Sequence, residues 1–246
     1  MESMSDFFQG LSQWFGAITE EDIEPYKGPI GIAILVLAAA GFGLWLYWEK
    51  RRREAFAAKA KELGLRFDPG PNYDIPPRIE FLNPMGRGKD RYAFNIMQGI
   101  YRGHPVRCFD YHYATGGKDS TSHYFSVYLL HHPVQFPKLE IDANSFFHRV
   151  GQALGMETIK FESAAFNRIF SVTSTDRRFA YDVCHPRMMA FLLQNPDISL
   201  EIEKDCIAIC YMYRQKVKEV QPHLDLLVDF RELMPEHLYP QPSSAQ

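Results

Sequence analysis

The sequence predicts an α+β protein: one N-terminal transmembrane helix followed by a cytosolic domain with a mostly antiparallel sheet and packed helices. Three observations predict it: a run of 21 uncharged residues, several apolar segments joined by tight turns, and helical segments clustered between them. An apolar share of 46% in 246 residues excludes global disorder and suits one or two domains. The net charge of −3 argues against nucleic acid as a partner.

The first 27 residues are predicted to form an outer (periplasmic) segment with a short amphipathic helix. Five large apolar side chains share one helical face: Phe7, Phe8, Leu11, Trp14 and Phe15. We expect this face to lie on the outer membrane surface or to dock on a neighbouring membrane protein.

Residues 28–48 are predicted to form a transmembrane helix because the run contains no charged residue. At 1.5 Å per residue it covers about 31 Å, which matches the hydrocarbon core of a bilayer. Trp45 and Trp48 stand at one end, where interfacial aromatic residues collect. A cleaved signal peptide would need a basic segment before the apolar run, whereas residues 1–27 carry six acidic residues against one lysine.

The orientation follows from the basic residues after the span: Lys50, Arg51, Arg52 and Arg53. Cytoplasmic flanks collect lysine and arginine, so we expect the N-terminus outside and the C-terminal domain in the cytoplasm. The membrane would be the inner (cytoplasmic) or an intracytoplasmic one, with the basic residues against anionic lipid head groups. Residues 49–67, rich in Ala, Glu, Lys and Arg, are predicted to form a basic helical stalk.

Residues 68–78 are predicted to form a linker because four prolines interrupt them. The cytosolic α+β domain is predicted over residues 79–234, and a C-terminal tail over residues 235–246.

Within the domain, apolar alternation and turn residues predict the individual elements. Strands are expected at 92–101, 105–113, 123–130, 138–141, 158–161 and 170–173, and helices at 143–155, 164–169, 186–194, 223–233 and after Asp176. Residues 198–203 and 206–213 are predicted to form a hairpin that turns at 203–205. The second of these strands is apolar on both faces, so it is expected at the centre of the sheet.

The spacing of the candidate catalytic and metal-binding residues argues against both kinds of site. Cys108, Asp110 and His112 share a strand face, but the outer two lie about 13 Å apart, whereas a triad needs contacts near about 3 Å. Cys206 and Cys210 lie equally far apart on a strand, too far to share a zinc ion with ligands at about 2.3 Å. The glycine-containing stretches 86–89 and 116–120 lack the order of a phosphate-binding loop. We therefore expect no catalytic residue, no cofactor and no metal site.

The four cysteines are Cys108, Cys184, Cys206 and Cys210. None forms a CxxC pair, and a chain of this length needs no disulfide framework. All four are expected to be reduced thiols in or near the core.

Three tracts carry a family resemblance: FESAAFNRIFSVTSTDRRFA at 161–180 with its continuation to Met189, FDYHY at 109–113, and ISLEIEKDCIAICY at 198–211. Together they resemble an uncharacterised family of bacterial single-span membrane proteins with a cytosolic α+β domain, over roughly residues 60–215. The resemblance implies topology and fold, and it brings no established activity. Within the first tract, Glu162 and Asp176 are expected near helix starts as cap and ion-pair residues rather than as catalytic acids.

Two classes of function remain open. The sequence favours a non-enzymatic accessory or scaffolding subunit of a larger integral membrane protein complex, for example a respiratory or photosynthetic assembly, because the span is inert and catalytic motifs are missing. The alternative is a membrane-tethered cytosolic enzyme or ligand-sensing domain. In that case Asp110, His112, His123 and Glu162 would converge on a pocket.

Overall fold

The computed structural model describes residues 28–83, 85–117, 120–143 and 157–239. The chain divides into two units, Met1–Ala55 and Phe56–Gln246, which are described separately. The predicted outer helix with Phe7, Phe8, Leu11, Trp14 and Phe15 lies outside the described residues, as does nearly all of the helix predicted over 143–155.

Helix α1 (Pro29–Glu62) contains the predicted span and continues beyond it. Its end is a glycine-capped motif in which Gly64 has a φ of +70°. The amide of Leu65 donates to the carbonyl of Ala60, and the amide of Gly64 donates to Lys61. These two bonds satisfy carbonyls that a helix end otherwise leaves unpaired.

The second unit begins inside α1, earlier than the predicted start of the domain at residue 79. Phe56 and Ala60 are fully buried in the core of the domain, and the ring of Phe56 stacks on that of Phe67. Phe67 belongs to strand β1 (Arg66–Asp68), which pairs with β2. The last turns of the predicted stalk are therefore part of the folded domain.

The linker predicted over 68–78 is wrong. Asn72 pairs with Ala93 of the sheet, and helix α2 (Ile75–Ile79) places Ile75 and Ile79 in the core. Pro76 and Pro77, two of the four prolines that suggested a linker, lie in the first turn of α2, where a missing N–H costs no helical hydrogen bond.

Seven described strands form one antiparallel sheet in the order β1-β2-β3-β4-β6-β5, with β7 paired to β4. The strands after β1 are β2 (Lys89–Tyr101), β3 (His104–Thr115), β4 (Thr121–Asp142), β5 (Thr158–Ile159), β6 (Ser171–Ser174) and β7 (Ser199–Tyr211). The predicted α+β class with an antiparallel sheet is confirmed.

The predicted hairpin over 198–213 is wrong, because β7 runs straight through it. β7 pairs with β4 from Ser199 opposite Asp142 to Tyr211 opposite Ser126. Lys204, in the expected turn, has a φ of +55°. A single residue of this kind makes a bulge and bends the strand without reversing it.

Strand β4 covers two segments that were predicted as separate strands. It contains an irregularity opposite the bulge of β7. Between the pairs His131–Cys206 and Phe136–Lys204, four residues of β4 lie opposite Asp205 alone. Pro133 falls within this interval and Pro137 follows it. Proline has no N–H to donate, so the ladder is interrupted where the prolines stand.

β7 was expected at the centre of the sheet, but among the described strands it pairs with β4 alone, at an edge. Both faces of β7 are apolar because other elements cover the sheet on both sides. Ile207 and Ile209 belong to the larger core together with the helix Val217–Leu233, and Ala208 belongs to a smaller core together with α2. Burial on both faces thus does not require two neighbouring strands.

The other helices in the described part of the chain are α3 (Ala164–Ile169), α4 (Arg177–Val183), α5 (Pro186–Leu193) and α6 (Val217–Leu233), followed by a 3₁₀ turn at Glu236–Leu238. Asp176 caps α4 by accepting from the amides of Arg178 and Phe179, as predicted. Ser163, and not the neighbouring Glu162, caps α3.

The four cysteines are all buried free thiols, as predicted from their spacing.

Candidate functional site

The apolar part of α1 is the first candidate site, because it exposes its large side chains. Val36 and Leu37 are 61% and 72% exposed, and Trp48 at the far end is 64% exposed. Trp45 is half-buried against Phe42, with ring centroids 5.8 Å apart. Leaving such side chains in water forgoes about 1.5–3 kcal/mol each. The helix is long and apolar enough to be a candidate membrane span.

The basic residues Lys50, Arg51, Arg52 and Arg53 follow the apolar part on the same helix. Lys50 and Arg53 each pair with a glutamate four positions away, at 3.9 and 3.5 Å. The Nε of Arg51 donates to the hydroxyl of Tyr47 at 3.0 Å. Such exposed pairs contribute at most about 1 kcal/mol, so they leave the positive charge available to an anionic surface.

The polar row on β3 does not form a catalytic triad. Asp110 is fully buried, and it accepts hydrogen bonds from the Asn95 side chain at 2.8 Å and from the Gln215 amide at 2.6 Å. His112 is 3.0 Å from the carbonyl of Asp90 through its Nδ1 atom. Burial, and then the nearby Asp110 charge, raises the pKa of the Cys108 thiol. The row anchors the chain after β7 to the sheet through Asp110 and Gln215, and the raised pKa favours the protonated form of the thiol.

His123 was expected to share a pocket with Asp110, His112 and Glu162, but its contacts are with other residues. Its Nε2 atom is 2.8 Å from the hydroxyl of Thr115, and its ring stacks on Tyr113. Glu162 is exposed beside the start of α3. The predicted convergence of these four residues is not seen.

An aromatic cluster that was not predicted surrounds His112. The ring of Tyr92 lies 4.6 Å from that of His112, and the ring of Tyr124 lies 4.8 Å away. The guanidinium of Arg214 stands over Phe94 at 5.1 Å. Among the residues of this cluster, only Tyr92 and Phe94 show in the sequence the alternation that places rings on one face of a strand. The register of the sheet completes the cluster, because it places His112 opposite Tyr92 and Tyr124 opposite His112.

A buried cluster of charged residues links strand β4 to strand β7. The Lys138 Nζ atom lies 2.7 Å from Glu201, 3.1 Å from Glu140 and 3.4 Å from Glu203. The amide of Asn83 donates to Glu201 at 2.7 Å. Burial raises the pKa of Glu201 to about 8, against the opposing effect of Lys138. With one cation for three carboxylates, this cluster acts as a clamp between strands.

An open groove of about 550 Å³ lies between α5, β7 and α6. His223 lines it, and its ring stacks on that of Tyr211 with centroids 3.9 Å apart. Burial lowers the pKa of His223 to about 4, so the ring is neutral near pH 7.

Comparison with protein-family models gives no match, and comparison with curated proteins gives none. A solved structure does match: the crystal structure of the mycobacterial trehalose monomycolate transport factor A, TtfA. The two chains are 20% identical, with a TM-score of 0.54 over 78% of this chain and 97% of that one. At this identity the likeness establishes a shared fold.

Proposed function

We propose that this protein is a single-pass membrane accessory subunit that scaffolds a larger integral membrane protein complex. The observation that carries the proposal is the apolar part of α1, whose large side chains are exposed and are followed directly by four basic residues. Such a surface requires lipid or another apolar helix around it. The fold that the chain shares with a transport factor supports an accessory role at a membrane.

The proposed topology places the N-terminus outside and the domain in the cytoplasm, as in the bacterial single-span family that the sequence resembles. Trp45 and Trp48 would lie at the interface. Lys50 to Arg53 would contact anionic head groups, where each basic residue near the surface contributes about 1 kcal/mol. Reporter enzymes fused at either end, active in one compartment only, test this. Activity of a periplasmic reporter at residue 246 would contradict the orientation.

The span itself offers a surface for a partner helix. A Cβ atom added at Gly41 or Gly43 would meet nothing within 4 Å, so both positions are open. Small residues let helix backbones approach closely in a membrane. The apolar residues Phe7 to Phe15 would add contacts outside the membrane.

Gentle extraction in mild detergent followed by identification of co-eluting proteins tests the proposal. We expect a membrane partner at fixed stoichiometry. The matched control is a chimera in which residues 28–48 are replaced by an unrelated apolar span of equal length, which keeps the anchor and removes the specific helix surface. We expect it to reach the membrane and to lose most of the partner. A monodisperse monomer from the unaltered chain would refute the proposal.

A further inference from the structure

Three side chains of different chemistry meet at the bulge of the β4–β7 ladder. The Cys206 Sγ atom lies 3.3 Å from the His131 Nδ1 atom and 3.7 Å from an Asp205 carboxylate oxygen. The other Asp205 oxygen lies 3.6 Å from the same His131 nitrogen. A thiol, an imidazole and a carboxylate thus surround one point.

The backbone produces this meeting. In a regular strand the consecutive residues Asp205 and Cys206 would point to opposite faces. The left-handed residue Lys204 directly before them breaks the alternation, as bulges do when they redirect a side chain. His131 is paired in register with Cys206, so its ring is held at the same level of the ladder.

The distance between the sulfur and the imidazole nitrogen matches tetrahedral coordination. With zinc bonds of about 2.3 Å to sulfur and about 2.0–2.2 Å to nitrogen and oxygen, neighbouring ligand atoms lie about 3.3–3.6 Å apart. Here the Cys206 Sγ atom lies 3.3 Å from the His131 Nδ1 atom. One Asp205 oxygen lies 3.7 Å from the sulfur and the other lies 3.6 Å from the nitrogen. One ligand atom from each residue lies within 4.8 Å of the other two, so the Asp205 carboxylate has to rotate to place a single oxygen near both. Sulfur and imidazole ligands together favour zinc over magnesium or calcium.

A catalytic Cys–His–Asp relay does not fit the same residues. A relay uses both ring nitrogens, one for the nucleophile and one for the acid. Here Cys206 and Asp205 both approach Nδ1 of His131. Burial raises the pKa of Cys206 to about 12, with Asp205 adding to the rise, so without a cation the thiol stays protonated. Burial lowers the pKa of His131, which keeps the neutral form that binds metals.

The three ligands leave a fourth position, and the site borders a groove. Asp205 lines an open groove of about 610 Å³ together with two basic residues, Arg78 and Lys204, and one acidic residue, Glu80. We propose that His131, Asp205 and Cys206 bind one zinc ion, with water or a small anion in the fourth position. This departs from the expectation of no metal site, because that expectation rested on spacing within single strands.

Titration of the full chain in detergent micelles, after chelator treatment, with Co²⁺ and Zn²⁺ tests the proposal. Co²⁺ should give the visible bands of tetrahedral coordination and a near-ultraviolet thiolate-to-metal band, at one ion per chain, and Zn²⁺ should displace it. Thiol deprotonation should make the affinity rise with pH. Zinc should also raise the unfolding temperature of the unaltered chain.

Cys206→Ser should abolish the thiolate band, and His131→Gln should weaken binding by more than the roughly tenfold to hundredfold loss that outer partners cause. The matched control is Cys210→Ser, on the same strand and in the same core cluster, which should keep both the band and the affinity. Circular dichroism of each metal-free variant verifies that it folds. Absence of a thiolate band, or a band that survives Cys206→Ser, would overturn the proposal.

Discussion

The apolar part of α1 and the Lys138 cluster of the domain depart in opposite ways from the usual rule that apolar residues are buried and charged residues are exposed. Leu37 of the helix is 72% exposed, whereas Glu201 of the cluster is 1% exposed. One region leaves apolar atoms outside, and the other places charges inside. Each costs free energy unless a suitable partner is present.

The two regions differ in where that partner comes from. Lys138, Glu201 and Asn83 supply charges and hydrogen bonds to one another within the domain. The exposed helix requires partners from its surroundings, which are lipid or another protein in our proposal. The domain should therefore keep its stability wherever it is placed, whereas the helix should depend on its medium.

The largest effect is expected from Lys138→Met, which removes the one cation of the buried cluster and leaves Glu140 without its partner. Removing one partner of a buried pair costs about 3–5 kcal/mol. Urea unfolding of the full chain in detergent measures the loss. Lys218→Met, at an exposed lysine, should change the free energy of unfolding by less than about 0.5 kcal/mol. Equal effects of both variants would show that the cluster is no clamp.

Two substitutions on α1 compare its apolar part with the end of the helix that belongs to the domain core. Phe56→Ala removes a fully buried ring and should cost about 3–5 kcal/mol. Leu37→Ala, on the same helix, should leave unfolding of the domain unchanged because Leu37 belongs to the other unit and its side chain is 72% exposed. Thermal unfolding followed by near-ultraviolet circular dichroism compares them. A large loss from Leu37→Ala would contradict the boundary between the units.

The pH dependence of stability should carry the signature of Glu201. Its folded pKa of about 8 lies above the ordinary value of 4.5, so between these values the folded state binds more protons than the unfolded chain. This contribution to stability is complete below pH 4.5 and is lost as the pH rises through 8.

Glu201→Gln should therefore flatten the decline of the unfolding temperature with rising pH in that window. His223, buried and neutral, gives the opposite slope below pH 6.5 in both proteins, so the difference between them isolates Glu201. Glu236→Gln, at an exposed glutamate, serves as the control. A slope that Glu201→Gln leaves intact would assign the titration to another group.

The smallest effect is expected at Arg102, which pairs on the surface with Asp225, Asp229 and Glu232 at 2.7–3.4 Å. Exposed pairs of this kind contribute at most about 1 kcal/mol and are screened by salt. Arg102→Ala should therefore destabilise slightly in low salt and hardly at all in 1 M salt. A loss that persists in high salt would place this network with the buried cluster.

Local patterns in the sequence correctly predicted the features that depend only on interactions between residues close together in the chain. The long apolar helix follows from length and charge alone, and Asp176 caps its helix through the amides of the next residues. The apparent hairpin failed because polar residues at 203–205 look the same in a turn and in a bulge. Pairing with β4, far away in the chain, decides between the two.

The linker over 68–78 failed for a related reason. Prolines exclude a helix interior but suit a first helical turn, and the buried positions of Ile75 and Ile79 depend on the sheet beneath them. The proposed zinc ligands His131 and Cys206 are 75 positions apart and meet only through the register of two bent strands. Spacing within one segment cannot reveal such a site.

The long β4–β7 ladder also bears on how the chain is made. Asp142 and its partner Ser199 are separated by 57 positions, so β4 leaves the ribosome well before the strand that pairs with it. Contacts so distant along the chain slow folding. The helix that carries Leu37 is complete long before then, so in a growing chain anchoring would precede folding. A chain that stops before Ser199 lacks β7 and would leave the edge of β4 that β7 covers open to other chains.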